Sequence, residues 1–319
     1  MSSVPISSLT SDSRIGWNRP APRKIPAHVE DSSQILLNRI LIRDRFAGVM
    51  EHIQLELFAD RAPTQGSSNA AIAQRLAPGN LSDTALIAAL PDSVLADACA
   101  LAAEVGRRRL GGAVTALVTL CNRFVGFGID CWVPEQAAAL DALAAIGGPN
   151  ASRSVSQMII KGVVQGPTLA VAASAASQLG AIFPPDVALL LLRHSNPSVR
   201  ASACVCVRAG RDIVAALIEL LNDLDREVST AAACALGRMG RVEARDPLKL
   251  CLTERPSPRV IEAAAGVADD EVIVFLARVG RARSEFADSV LAALDEIDHA
   301  RAQAAASALR HWLAISGRR

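Results

Sequence analysis

The chain has 319 residues, 33 basic and 32 acidic side chains for a formal net charge of +1, and 51% apolar residues. That apolar share excludes a disordered chain and allows a large core. The neutral balance lacks the basic surplus on which phosphate neutralisation depends, so nucleic acid is not an expected partner.

Aromatic residues make up 3%, tyrosine is absent and alanine supplies close to a fifth of the chain. A β-sandwich or barrel leans on aromatic and β-branched residues, whereas alanine is the best helix former and lets helices approach closely. The expected class is all-α. The Arg and Ala bias, with three lysines in all, points to a GC-rich, bacterial genome.

In chain order, residues 1–27 are rich in Ser, Pro and Thr and read as a disordered tail. The tail lacks the basic-then-apolar layout of a secretory signal. Its serine bias and low acidity also resemble the export signals of bacterial secreted effectors, a weaker reading than a plain flexible terminus. Residues 28–79 read as an N-terminal helical cap. Ile35, Leu36, Ile40, Ile42, Phe46, Val49, Ile53 and Leu57 recur at helical spacing, and a short second helix ends at Pro78-Gly79.

From residue 80 to 319 the chain is repetitive. Ala-rich segments end on Gly106, Gly147, Gly180, Gly210 and Gly240, at intervals of 41, 33, 30 and 30 residues. Such a period marks a repeat array, and a glycine after each segment suits a left-handed helix terminus. The units read as helix pairs: 84–90 with 93–105, 110–124 with 134–146, 154–164 with 167–179, 185–193 with 197–209, 212–221 with 226–239, 244–252 with 257–267, and 271–279 with 285–297. A last helix over 300–315 closes the array.

The stretch Asn196-Pro197-Ser198-Val199-Arg200-Ala201-Ser202-Ala203 resembles the turn and second-helix opening of a HEAT repeat. Asp225-Arg226-Glu227-Val228-Ser229 and Ser257-Pro258-Arg259-Val260 are similar. The resemblance covers residues 80 to 315 and extends to the bacterial HEAT-like repeats also found in phycobilin lyases. It implies a right-handed α-solenoid of about seven helix pairs behind N-terminal capping helices. The family's arginine after the valine is present as Arg200, but Ser229 and Ile261 stand at the equivalent places, so no continuous Asp/Arg ladder is expected.

Catalytic ingredients are sparse. His28, His52, His194, His299 and His311 share no ligand spacing, and no HExxH, GxxxxGK[ST] or GxSxG occurs. Gly126-Phe127-Gly128 is too short to cradle a phosphate. The cysteines, Cys99, Cys121, Cys131, Cys204, Cys206, Cys234 and Cys251, are odd in number with no CxxC pair, which fits small apolar packing in a reduced cytoplasm. Cys204 and Cys206 lie about 200° apart on a helix and do not point at one metal. Asp295, Glu296, Asp298, His299 and Arg301 read as a solvated inter-helix turn. The uncharged stretch 162–185 carries Gln165, Ser174, Ser177, Gln178 and Pro184-Pro185, which argues against a membrane span. No enzyme activity, cofactor or metal is expected.

The least regular segment, Val125 to Val133, concentrates aromatic residues where they are otherwise scarce, with Phe124 just before it and Phe127 and Trp132 within. Such an insertion either presents binding residues on one face or plugs a hollow between units. The shortage of large side chains favours the plug, and Trp312 in the last helix reads as a capping core residue.

The functional expectation is a non-catalytic scaffold or adaptor that binds a protein or peptide on the concave surface lined by the second helices. Candidate contact residues are Arg200, Arg208, Glu227, Arg238, Arg259 and Glu262, whose mixed signs suit a charged protein partner, together with Phe127 and Trp132. The alternatives are a bilin lyase subunit, which the resemblance allows but no residue identifies, and a nucleic-acid-binding solenoid.

Overall fold

The computed structural model describes residues 78–316. The expected tail (1–27) and nearly all of the expected cap (28–79) lie outside the described residues. Fifteen α-helices run through residues 78–316 with no strand among them. They are α1 (Asp83–Ala89), α2 (Leu95–Arg108), α3 (Val114–Asn122), α4 (Pro134–Ile146), α5 (Gly148–Ile160), α6 (Leu169–Gln178), α7 (Pro185–Leu192), α8 (Pro197–Ala203), α9 (Arg211–Leu220), α10 (Arg226–Arg238), α11 (Arg245–Glu254), α12 (Pro258–Ala265), α13 (Asp270–Ala282), α14 (Ala287–Glu296) and α15 (Ala300–Ser316).

The helices form the expected pairs, from α1–α2 to α13–α14, and α15 packs on both α13 and α14. The second helices α2, α4, α6, α8, α10, α12 and α14 form one continuous layer in which each packs on the next. The first helices form the other layer, and there α9 and α11 make little contact with one another. Leu117, Leu140, Leu143, Leu192, Leu217, Leu236, Leu248 and Ile261 are fully buried between the layers in a core continuous along the array. No pair could bury these faces alone, so each depends on its neighbours.

Local sequence explains the helix starts. The side chains of Asn196, Asp225, Ser257 and Asp269 accept hydrogen bonds from the first free N–H groups of α8, α10, α12 and α13. Proline in the first turn of α4, α5, α7, α8 and α12 pre-sets the helical φ where no hydrogen bond is lost. Gly180 and Gly240 follow α6 and α10 with φ of 63° and 69°, which only glycine adopts without strain.

Five expectations need correction. Gly106 does not end its helix: it lies inside α2, which closes instead on left-handed Arg109. Gly210 is extended and precedes α9 as its N-cap. The helix expected over 197–209 ends at Ala203, because the chain turns there and the Cys206 carbonyl is taken by the Phe183 N–H at 2.9 Å. Cys204 and Cys206 are therefore buried in a turn, not set around a helix. Trp312, expected to cap the core, is 37% exposed on α15, while Ala302, Ala306 and Leu309 of the same helix are the residues buried.

The second-helix layer is tight because its contact residues are small. A Cβ on Gly106 would sit 3.0 Å from the Ala142 Cα of α4. A Cβ on Gly237 of α10 would sit 2.5 Å from the Ala263 carbonyl oxygen, and one on Gly266 would sit 2.3 Å from that of Gly237. Both clashes are with backbone, which no rotamer change relieves. Gly237→Ala raises helix propensity by about 1 kcal/mol. It is nevertheless expected to destabilise the protein by about 1–3 kcal/mol through overpacking at the α10–α12 seam. Urea unfolding followed by circular dichroism reads the sign.

Candidate functional site

A cleft of about 1090 Å³ is walled by α10 and α11 and bounded by α8, the start of α12 and Leu221 at the end of α9. Its wall is apolar where Val205, Leu221, Ala231, Pro247 and Leu250 line it, and Leu250 is left 56% exposed. Its rim is charged. Arg226 and Glu254 pair with each other across the rim, joining the start of α10 to the end of α11. Asp246 is held by Lys249 at 2.7 Å. The guanidinium groups of Arg255 and Arg259 and the carboxylate of Glu227 line the same cleft and have no partner among the described residues.

Cys234 lines the cleft, and burial pushes its thiol up to about 11. Arg238 and Arg259 pull the other way, while Cys251 and Glu262 add to the rise. Cys121, Cys204 and Cys206 are raised to about 12, in each case chiefly by burial. These are protonated, apolar-packed thiols rather than nucleophiles. Among the described residues no group of three His, Cys, Asp or Glu side chains is placed to hold a metal ion, and no helix is long and apolar enough to cross a membrane. The charged cluster near residue 298 is exposed, with Arg301 on Asp270 at 3.0 Å.

The structure brings some of the expected contact residues together and scatters the rest. Glu227 and Arg259 line the cleft, and Arg238 and Glu262 lie close enough to Cys234 to act on its thiol; all four are exposed. Arg208 is exposed but sits beyond α8 on the connection to α9, not on a helix face.

Arg200 is not a free surface group. It grips both carboxylate oxygens of Asp223 at 2.8 Å and donates to the His194 and Ser195 carbonyl oxygens at 2.9 Å. The guanidinium thus ties the turn before α8 to the turn before α10, and it holds the Asp223 carboxyl below its usual range. Further links between successive units use other residues, Arg245 with Asp269 at 3.4 Å and Lys249 with Glu271 at 2.7 Å. Neither Ser229 nor Ile261 makes a rung like that of Arg200.

Phe127 and Trp132 do not line the cleft; they lie on the connection between α3 and α4. That segment does not plug a hollow. Phe127 is 69% exposed and Trp132 51%. Where it enters α4, three buried polar side chains at the start of α4 and α6 tie the surrounding backbone together, Thr168 holding the segment's own last residue. Glu135 accepts from the Leu95 N–H at 3.1 Å, and Thr168 Oγ1 accepts from the Val133 N–H at 3.0 Å. Gln136 Nε2 donates to the carbonyl oxygens of Cys121 and Val163 at 3.0 and 3.3 Å. Because polar pegs fix the base, the aromatic rings are not needed to fill space. Sequence reasoning missed Glu135, Gln136, Thr168 and Arg255. Polar residues in a helix's first turn normally face water, and only the close stacking of units buries the first three.

Arg200→Ala should destabilise the fold by about 2 kcal/mol, since it strips charged hydrogen bonds from a partly buried carboxylate and two carbonyls. Trp132→Ala should cost less than about 1 kcal/mol. Thermal unfolding of the two variants separates the structural residue from the exposed one.

Comparison with known proteins adds the following. No curated protein matches the chain. Among solved structures, the X-ray structure of YibA from Escherichia coli is similar at 16% identity, covering 75% of this chain and 100% of that one with a TM-score of 0.38. Residues 184–268 match the family model described as HEAT repeats. Those residues span α7 to α12 and hold the walls of the cleft. The α7–α12 segment, three stacked helix pairs in the middle of the solenoid, is made of HEAT repeats.

Proposed function

We propose that the protein is a non-catalytic interaction scaffold that receives a segment of a protein partner in the α10–α11 cleft. The observation that carries this reading is the pairing of an apolar wall with unpartnered charges of both signs, Glu227 on one side and Arg255 and Arg259 on the other. An extended segment with apolar side chains between an acidic and a basic residue matches that arrangement. Unpartnered charges at a rim contribute register and association rate more than affinity, and the apolar wall supplies the desolvated contact. Arg238 and Glu262, on the second-helix face beside the cleft, extend the surface along the array. Solenoids offer such extended faces because each repeat adds one more strip to the same side.

A photo-reactive amino acid at exposed Leu250 tests the site in cells of the source organism. A defined adduct is expected from Leu250 and none from Leu190, which is 73% exposed on α7 outside the cleft. The double change Arg255→Glu with Arg259→Glu should abolish the adduct and leave the melting temperature unchanged. Equal adducts from both positions, or an adduct that survives the charge reversal, would contradict the proposal.

A further inference from the structure

A second groove, of about 550 Å³, runs between α13 and α15 at the other end of the described array from α1. Its position follows from two facing stripes. Val274, Ala277, Arg278 and Arg281 fall on one face of α13 at helical spacing, and Arg301 and Ala305 fall one turn apart on α15. The small side chains Ala277 and Ala305 leave the floor open, and Val274 is 36% exposed there.

The charges in this groove are of one sign. Three arginines line it and no carboxylate does. Arg301 is engaged by Asp270 at 3.0 Å. Arg278 lies over the Phe275 ring, 5.3 Å from its centroid, a stacking that orients the guanidinium without neutralising it. Arg281 has no partner among the described residues. The net charge of the whole chain hides this concentration, because compensating carboxylates lie elsewhere.

We propose that this groove is a docking site for an acidic, amphipathic peptide segment of a partner protein, distinct from the α10–α11 cleft. Carboxylates of the segment pair with Arg278 and Arg281, and its apolar residues cover Val274, Ala277 and Ala305. Planar guanidinium groups suit bidentate carboxylate recognition. Nucleic acid fits less well: tight binding to it needs many phosphates neutralised at once, and this groove offers two uncommitted charges on a largely apolar floor. A small free anion would leave that floor uncovered. The reading is independent of the proposal for the cleft, since the two sites share no residue.

The test uses the full chain and a short fluorescein-labelled peptide with glutamate and leucine at helical spacing, read by fluorescence anisotropy. Two control peptides replace every glutamate by glutamine or every leucine by serine. Saturable binding is expected for the acidic amphipathic peptide, and both controls should bind at least about tenfold more weakly. Arg278→Glu with Arg281→Glu should weaken the acidic peptide by a similar factor. Because Arg278 stacks on Phe275, Arg281→Glu alone serves as a second variant, at a residue with no hydrogen bond, ion pair or ring contact to lose, and it should weaken binding as well.

Arg255→Glu with Arg259→Glu should change nothing in this assay, which separates this site from the cleft. The proposal is overturned by no saturable binding, by equal binding of either control peptide, or by affinity unchanged in Arg281→Glu. It is equally overturned if a single-stranded DNA oligonucleotide displaces the peptide at lower concentration than unlabelled peptide does. That outcome would assign the groove to polyanions.

Discussion

The architecture rests on how closely the second helices approach one another. Alanine and glycine at Gly106, Ala142, Gly237, Ala263 and Gly266 bring neighbouring backbones into direct contact. A layer built this way has no slack, and it supplies one wall of the core of every unit. The first helices carry larger residues and need not match each other so tightly. Hence α9 and α11 make little contact while α10 and α12 are packed against one another. The cleft beside α10 and α11 is a consequence of that mismatch between a close layer and a looser one.

Polar groups then fix what apolar stacking leaves free. Apolar burial has no direction of its own, so rotation and register between units come from specific links. Arg200 on Asp223 sets the turn of one unit against the next, and Arg226 on Glu254 and Lys249 on Glu271 repeat the idea with different chemistry. Around the irregular α3–α4 connection, buried Glu135, Gln136 and Thr168 bond backbone groups of neighbouring segments: the N–H groups of Leu95 and Val133 and the carbonyl oxygens of Cys121 and Val163. Their work leaves Phe127 and Trp132 free on the outside, where aromatic exposure in an aromatic-poor protein concentrates apolar contact surface at one place.

Most of the fold was legible because one period controls it. The Asn196-Pro197, Asp225-Arg226 and Ser257-Pro258 openings located three second helices, and the glycines after α6 and α10 located their ends. The same rule misplaced Gly106 and Gly210, since glycine serves close approach and capping as well as helix termination, and the letter alone does not distinguish them. The candidate site was legible in part. Glu227, Arg238, Arg259 and Glu262 were found as polar breaks in apolar helices, and the structure gathers them around α10–α12. Arg200 followed the same pattern yet is consumed by Asp223, a partner 23 residues away that only the stacking of units brings near. The α13–α15 groove was not visible, because its arginines come from two helices and the whole-chain charge cancels them.

The central claim is that each helix pair is held by its neighbours through the second-helix layer, so that pairs are interchangeable in stacking and individual in surface. Excising residues 211–240, which removes α9 and α10 together and joins Gly210 to Arg241 at the repeat period, tests it most directly. The account predicts a monomer in solution with helical circular dichroism, shortened by one unit, that unfolds in one cooperative transition. A chain that aggregates or melts without cooperativity after this in-register excision would contradict it.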